Sequence, residues 1–161
     1  MANATPRDYL FMRSSILNLT PREVLGDAAA TANPVYGVLI DWNQRDTVTT
    51  ISALANGEVN VYYSIGVLHV GGGSVPELAN EGKACVAAAQ QMMGAAGPAT
   101  NDNLPGDGSV RFYLLTKDGV KVMDALEKRI PNNPELLAVY SKAIAVMDGY
   151  TVAIAKQLGG G

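Results

Sequence analysis

The side chains able to do chemistry in this chain are few and far apart. There is one histidine, His69, and one cysteine, Cys85. His69 lies in sequence between Ser64 and Ser74, and an imidazole can serve a serine as general base. Neither serine stands in a G-x-S-x-G elbow or another nucleophile context, so His69, at a Gly-flanked apolar strand end, reads as a structural histidine. Asp41 and Asp46 flank one turn. They would act as an acid pair only if buried together, and their context reads as a strand end and a solvated turn. Cys85 stands in an Ala-rich helix as a small buried hydrophobe, without the neighbouring base or exposed helix N-terminus that makes a thiolate. One Cys and one His do not build a structural zinc site. Asn101, Asp102, Asn103 and Asp107 lack calcium-loop spacing. The expectation is no catalytic residue, no metal and no cofactor.

The remaining chemical feature is the loop Gly71-Gly72-Gly73 ahead of Ser74-Val75-Pro76-Glu77. The latter fits a capping box that opens a helix at Val75, and amides at a helix N-terminus can hold a phosphate or carboxylate. Pro76 removes one such amide, and Glu77 adds a competing charge. Neither G-x-x-x-x-G-K-[ST] nor G-x-G-x-x-G is met. A flexible connector is the competing reading. The candidate ligand-binding residues are His69, Gly71, Gly72, Gly73, Ser74 and Tyr62, with Tyr63 nearby.

The elements around this loop are well marked. Thr5-Pro6-Arg7-Asp8 and Thr20-Pro21-Arg22-Glu23 open helices from Pro6 to about Leu17 and from Pro21 to about Thr31, the second with a capping box. Val35–Trp42 is apolar on both faces and should be a central strand, with Tyr36, Val38, Ile40 and Trp42 on one side and Val35 and Leu39 on the other. Asn56-Gly57 marks a two-residue hairpin turn that places Leu54 opposite Val59, Ser52 opposite Val61 and Thr50 opposite Tyr63. Val59, Val61, Tyr63 and Ile65 are then the core side, and Glu58, Asn60 and Ser64 the wet side. A helix from Val75 to about Ala95 follows, then a Gly/Pro-rich loop over 94–109.

Val110–Thr116 reads as a strand, and Asp118-Gly119 as a turn into a second; a helix from Lys117 is the alternative. Asn133 and Pro134 start a long final helix ended by Gly159, Gly160 and Gly161. Its main stripe is Leu136, Leu137, Tyr140, Ile144, Met147, Thr151, Ile154 and Leu158, with a second partial face of Val139, Val146, Tyr150 and Val152. At roughly 37 Å for about 25 residues, it is longer than such a sheet needs, so part of it should bury against a second copy or a partner unless Gly149 kinks it back.

The segment VRFYLLTKDGVKV, with YYSIGVLHVGGG before it, resembles a group of small bacterial proteins that carry V-R-F-Y-L-L-T-x-D-G-V after a Gly-rich loop and a helix. The resemblance covers Val48–Val122 and implies no activity. The order of elements is also similar to the profilin or roadblock type of antiparallel sheet between helices. The expected fold is thus α+β: one antiparallel sheet of about five strands, formed by a three-strand meander, a helix and a hairpin, packed with helices. It makes a single domain over 1–161, with an N-terminal helical segment at 1–33 and an α+β core at 35–158.

Composition narrows the partners. At 161 residues and 48% hydrophobic, the chain suffices for one well-buried core. The net charge is −3 and the Lys and Arg residues are scattered, so nucleic acid and anionic membranes are not expected partners. No uninterrupted apolar run approaches membrane-span length, and Arg13 and Asp8 spoil any leader pattern. The expectation is a cytoplasmic, non-catalytic binding or scaffold protein that self-associates as a homo-oligomer or holds a protein partner. The alternative is a small-molecule or anion sensor using residues 71–74.

Overall fold

The computed structural model of the chain describes residues 6–159. The cap expected at Thr5, the stop at Gly160 and Gly161, and the side chain of Leu158 lie outside the described residues. Helix α1 spans Pro6–Leu17, and α2 spans Pro21–Leu25. The capping box of α2 forms: Thr20 Oγ1 accepts from the Glu23 amide at 3.2 Å, and Glu23 Oε1 accepts from the Thr20 amide at 3.1 Å. The helix is shorter than its sequence pattern implies because Gly26, at φ 58°, turns the chain into a 3-10 segment, Gly26–Ala30.

The sheet is antiparallel and has seven strands: β1 (Val35–Gln44), β2 (Thr47–Leu54), β3 (Val59–Tyr63), β4 (Val67–His69), β5 (Gly97–Pro98), β6 (Ser109–Thr116) and β7 (Gly119–Leu126). Their spatial order is β4-β3-β2-β1-β6-β7-β5, with β1 at the centre. The two strands beyond the expected five are the short edges. Gly66, at φ 107°, turns the chain back so that Val67–His69 pairs with β3, and Gly97–Pro98 pairs with β7 inside the segment expected to be loop. Runs of two or three residues carry too little alternation to be read. The turn at Asp118-Gly119 forms, and β7 continues through Leu126 into a 3-10 segment, Glu127–Asn132, so the alternative helix from Lys117 is wrong.

The hairpin register differs by one residue from expectation. Ala53 pairs with Val59, Ser52 with Asn60, Ile51 with Val61 and Thr50 with Tyr62. The cause is a three-residue loop: the Gly57 amide reaches Leu54 O at 2.9 Å, Gly57 takes φ 93°, and Leu54 N–H bonds Glu58 O at 2.9 Å. That is a type I turn followed by a glycine bulge, and not a two-residue primed turn. The primed conformation occurs one hairpin earlier, where Arg45 and Asp46 have φ 52° and 64° and Gln44 pairs with Thr47.

Helix α3 spans Pro76–Ala89 and α4 spans Pro134–Gly159. Both pack on one face of the sheet, while α1 and α2 cover the other. The first core joins Val38, Ile40, Val59, Val61 and Phe112 to Cys85, Val139 and Val146. The second joins Leu39, Tyr62, Tyr113 and Leu115 to Tyr9, Ile16 and Val24. Because both faces are covered, Asn60 is buried and not on a wet side, where its Nδ2 donates to Ser52 Oγ at 3.1 Å. Ile65, expected in the core, lies in the β3–β4 turn and is 65% exposed. An irregularity at Val35/Gly37 breaks the alternation of β1, so Tyr36 joins Leu39 in the second core and Val35 joins Val38 in the first.

The buried line of α4 is Leu136, Val139, Ala143, Val146 and Tyr150. The expected stripe of Leu137, Tyr140, Ile144, Met147, Thr151 and Ile154 flanks it and is only partly covered. The helix runs unbroken through Gly149. A Cβ there would come within 2.3 Å of Leu78 Cδ2, so the glycine lets α3 and α4 approach. By length and composition, Pro134–Gln157, whose most apolar 18-residue window has mean hydropathy 1.3, also suffices to cross a bilayer; the expectation from uninterrupted runs missed it because Lys142 and Asp148 punctuate the helix. Core-packed helices meet the same criterion.

Candidate functional site

Strand β4 and the glycine loop run beneath the C-terminal half of α4. His69 pairs across the sheet with Val61 and so shares the face of the first core. Its imidazole stacks on Tyr150, with ring centroids 5.7 Å apart and planes at 24°, and meets Tyr63 edge-on at 5.9 Å. Gly71 takes φ 80°. Gly72 is buried because the Tyr150 hydroxyl and the Val59 side chain close over it; an added Cβ would lie 2.6 Å and 2.4 Å from them.

The loop amides are used within the chain. The Tyr150 hydroxyl lies against Gly72 and donates to Val59 O at 2.6 Å. The Gly73 N–H points at Glu58 Oε1, 3.5 Å away, so a carboxylate of the chain itself stands where an external anion would. Ser74 does not cap α3: its Oγ donates to Gly71 O at 3.0 Å, and the helix begins at Pro76 with Val75 as an N-cap that has no side-chain bond. Burial and the Glu58 charge push Tyr150 up to about 12, against the lowering effect of the Gly72 backbone.

A groove of about 580 Å³ opens here, walled by Leu68, His69, Gly72, Leu78, Tyr150 and Ile154, with Gly71, Ser74 and Lys156 at its margin. Of the residues selected from the sequence, His69, Gly71, Gly72 and Ser74 come together, and Gly73 lies beside them against Glu58. Tyr62 does not join them. It pairs with Leu68 and faces α1 on the other side of the sheet, where burial pushes it up to about 12. Sequence reasoning missed Tyr150 as a site residue, although its place on the second face of α4 was visible. No pattern connects it to a loop so distant in sequence.

The strongest electrostatic feature lies elsewhere. Asp41 is fully buried in the middle of β1, not at its end, and Arg13 of α1 covers it. Arg13 Nη2 approaches Asp41 Oδ2 at 2.6 Å, and Nε approaches it at 3.0 Å. Thr50 Oγ1 donates to Asp41 Oδ1 at 2.7 Å and lies 2.7 Å from the Tyr9 hydroxyl. Arg13 Nη1 donates to Asp102 O at 2.7 Å, and the Tyr113 hydroxyl to Asn103 O at 2.6 Å, so the same cluster fastens the loop before β6. Asp46 lies in the exposed turn, apart from this cluster.

The carboxylate is fully buried and each of its oxygens accepts a hydrogen bond, an arrangement suited to fastening α1 and the loop to the sheet. Among the described residues, no group of three or more His, Cys, Asp or Glu side chains is placed to hold a metal ion. Comparison with protein-family models, curated proteins and solved structures returned no match.

Proposed function

We propose that the protein is a non-catalytic binding or scaffold protein that pairs with a second copy of itself through the outward face of α4. The supporting observation is the mismatch between the helix's apolarity and its burial. Its most apolar 18-residue window has mean hydropathy 1.3, yet only 22% of it is buried. Val152 is 53% exposed and Leu137 37%, with Ile144 partly buried between them. Exposed apolar side chains on the outward face of a long helix mark an interaction surface. A second copy is the occupant chosen because a two-fold pairing lays the same strip against itself and buries both at once. The α+β sheet between helices supports a profilin or roadblock type of architecture, and the single buried cysteine fits a cytoplasmic setting. Sedimentation velocity tests the reading: wild type should sediment as a dimer and Val152→Asp as a folded monomer. A monomeric wild type across the accessible concentration range would sink it.

A second reading, a small-molecule sensor, draws on the groove at His69. With Gly72 buried beneath Tyr150 and the Gly73 amide facing Glu58, the groove suits a flat aromatic ligand stacked on the His69–Tyr150 pair better than an anion on the loop. His69→Ala should abolish ligand-induced thermal stabilisation in a screen of aromatic compounds. Equal stabilisation in both proteins would remove this reading.

A further inference from the structure

A different groove, about 630 Å³ in volume, lies where the 3-10 segment after β7 meets the start of α4. Its size falls within the roughly 300–1,000 Å³ typical of small-ligand sites. Leu126, Ile130, Pro131, Leu137 and Tyr140 form its walls, and Leu126 and Leu137 are 42% and 37% exposed. Two carboxylates stand on it. Glu127 accepts from the Trp42 indole N–H and from Gln44 Nε2 at 3.3 Å, and Asp107 Oδ1 accepts from the Arg45 amide at 2.6 Å.

These donors are neutral, so they fix the carboxylates without cancelling their charge. Among the described residues, neither Glu127 nor Asp107 has a cationic partner within ion-pair distance, and Lys128, also on the groove, is paired with neither. The Tyr140 ring, held edge-on to Trp42 at 5.8 Å, adds an aromatic surface on the same wall. An anion here would meet two like charges, and an uncharged hydrocarbon would strip water from the carboxylates with nothing in return. A cation with an apolar body satisfies both sides of the groove, its charge facing the carboxylates and the Tyr140 ring.

From this we infer that the groove binds a small amphipathic cation of the alkylammonium class. Leu137 borders both this groove and the pairing face of α4, but the carboxylates that choose the ligand, Glu127 and Asp107, lie outside that helix, so the charge selectivity does not rest on self-association. Trp42 is the chain's only tryptophan and bonds Glu127 directly, so its fluorescence reports occupancy. Titration with octylammonium below its micelle concentration should shift the Trp42 emission saturably, while octanoate and octanol should not. Glu127→Gln keeps an acceptor for the indole and removes the charge; it should weaken octylammonium about tenfold, the equivalent of about 1.4 kcal/mol. If circular dichroism shows that variant unfolded, Asp107→Asn takes its place, with a smaller loss expected. The Val152→Asp variant should bind as wild type does. Equal responses to octylammonium and octanoate, unchanged affinity in the folded charge variant, or loss of the response in Val152→Asp would each overturn the assignment.

Discussion

Arg13 lies directly on Asp41, with Nη2 2.6 Å from Oδ2 and the two side chains 4% and 0% exposed. Together with the Tyr9–Thr50 hydrogen bond, this pair fastens α1 to the sheet. Removing either partner strands the other charge away from water, so Arg13→Met or Asp41→Asn should each cost about 3–5 kcal/mol. The double variant Arg13→Met/Asp41→Leu should cost less than the sum of the two. Urea denaturation of the full cycle measures the coupling, and additive losses would show that the pair contributes nothing as a pair.

Gly82 on α3 faces Val59, and a Cβ there would sit 2.3 Å from Val59 Cγ1. Val59 is fully buried and β-branched, so it has little room to turn away. Gly82→Ala gains up to about 1 kcal/mol of helix propensity, but overpacking costs typically 1–3 kcal/mol. Net destabilisation is expected in chemical denaturation. Gly94→Ala, where an added Cβ meets nothing within 4 Å, should be neutral or slightly stabilising.

Burial pushes the Cys85 thiol up to about 12, with the Glu81 charge adding to it. The native protein should therefore resist thiol-disulfide reagents at pH 8 and react fully in denaturant. Rapid native labelling would mean that α3 and α4 separate readily.

All seven tyrosines are raised above their ordinary value, and Tyr9, Tyr62, Tyr140 and Tyr150 to about 12, chiefly by burial. Between pH 10 and 12 the unfolded chain loses phenolic protons that the native chain keeps, so stability falls as pH rises through that window. Below pH 10 both states are protonated and the effect vanishes. Absorbance at 295 nm should show little phenolate in the native state at pH 10.5 and a cooperative rise on alkaline unfolding. Several tyrosines titrating freely near pH 10 in native protein would contradict the packing described.

Local chemistry made much of the fold legible. Thr20 and Glu23 announced their capping box, the apolar run from Val35 announced a central strand, and Asp118-Gly119 announced its hairpin. Where a decision hung on one residue of loop length, sequence reading failed. Asn56-Gly57 suits a primed turn, but Gly57 serves a bulge, and Arg45 and Asp46, poor candidates on conformational grounds, adopt the primed turn because Gln44 and Thr47 pair and Asp107 holds the Arg45 amide. The face chosen by α4 was ambiguous because Val139, Val146 and Tyr150 compete with Ile144 and Met147, and contact with α3 at Gly149 decided it. At the candidate site, His69 and the glycine loop were visible, while Tyr150, Glu58 and the Arg13–Asp41 pair depend on contacts across tens of residues that no local pattern encodes.

The brevity of β4 and β5 limits how the molecule can assemble. An incoming strand would find three residues to pair with on one side and two on the other, and Pro98 offers no N–H. Growth by adding strand to strand is thus blunted at both ends of the sheet. What the short edges withhold is a template: neither offers a row of free backbone groups long enough to seed a continuous ribbon.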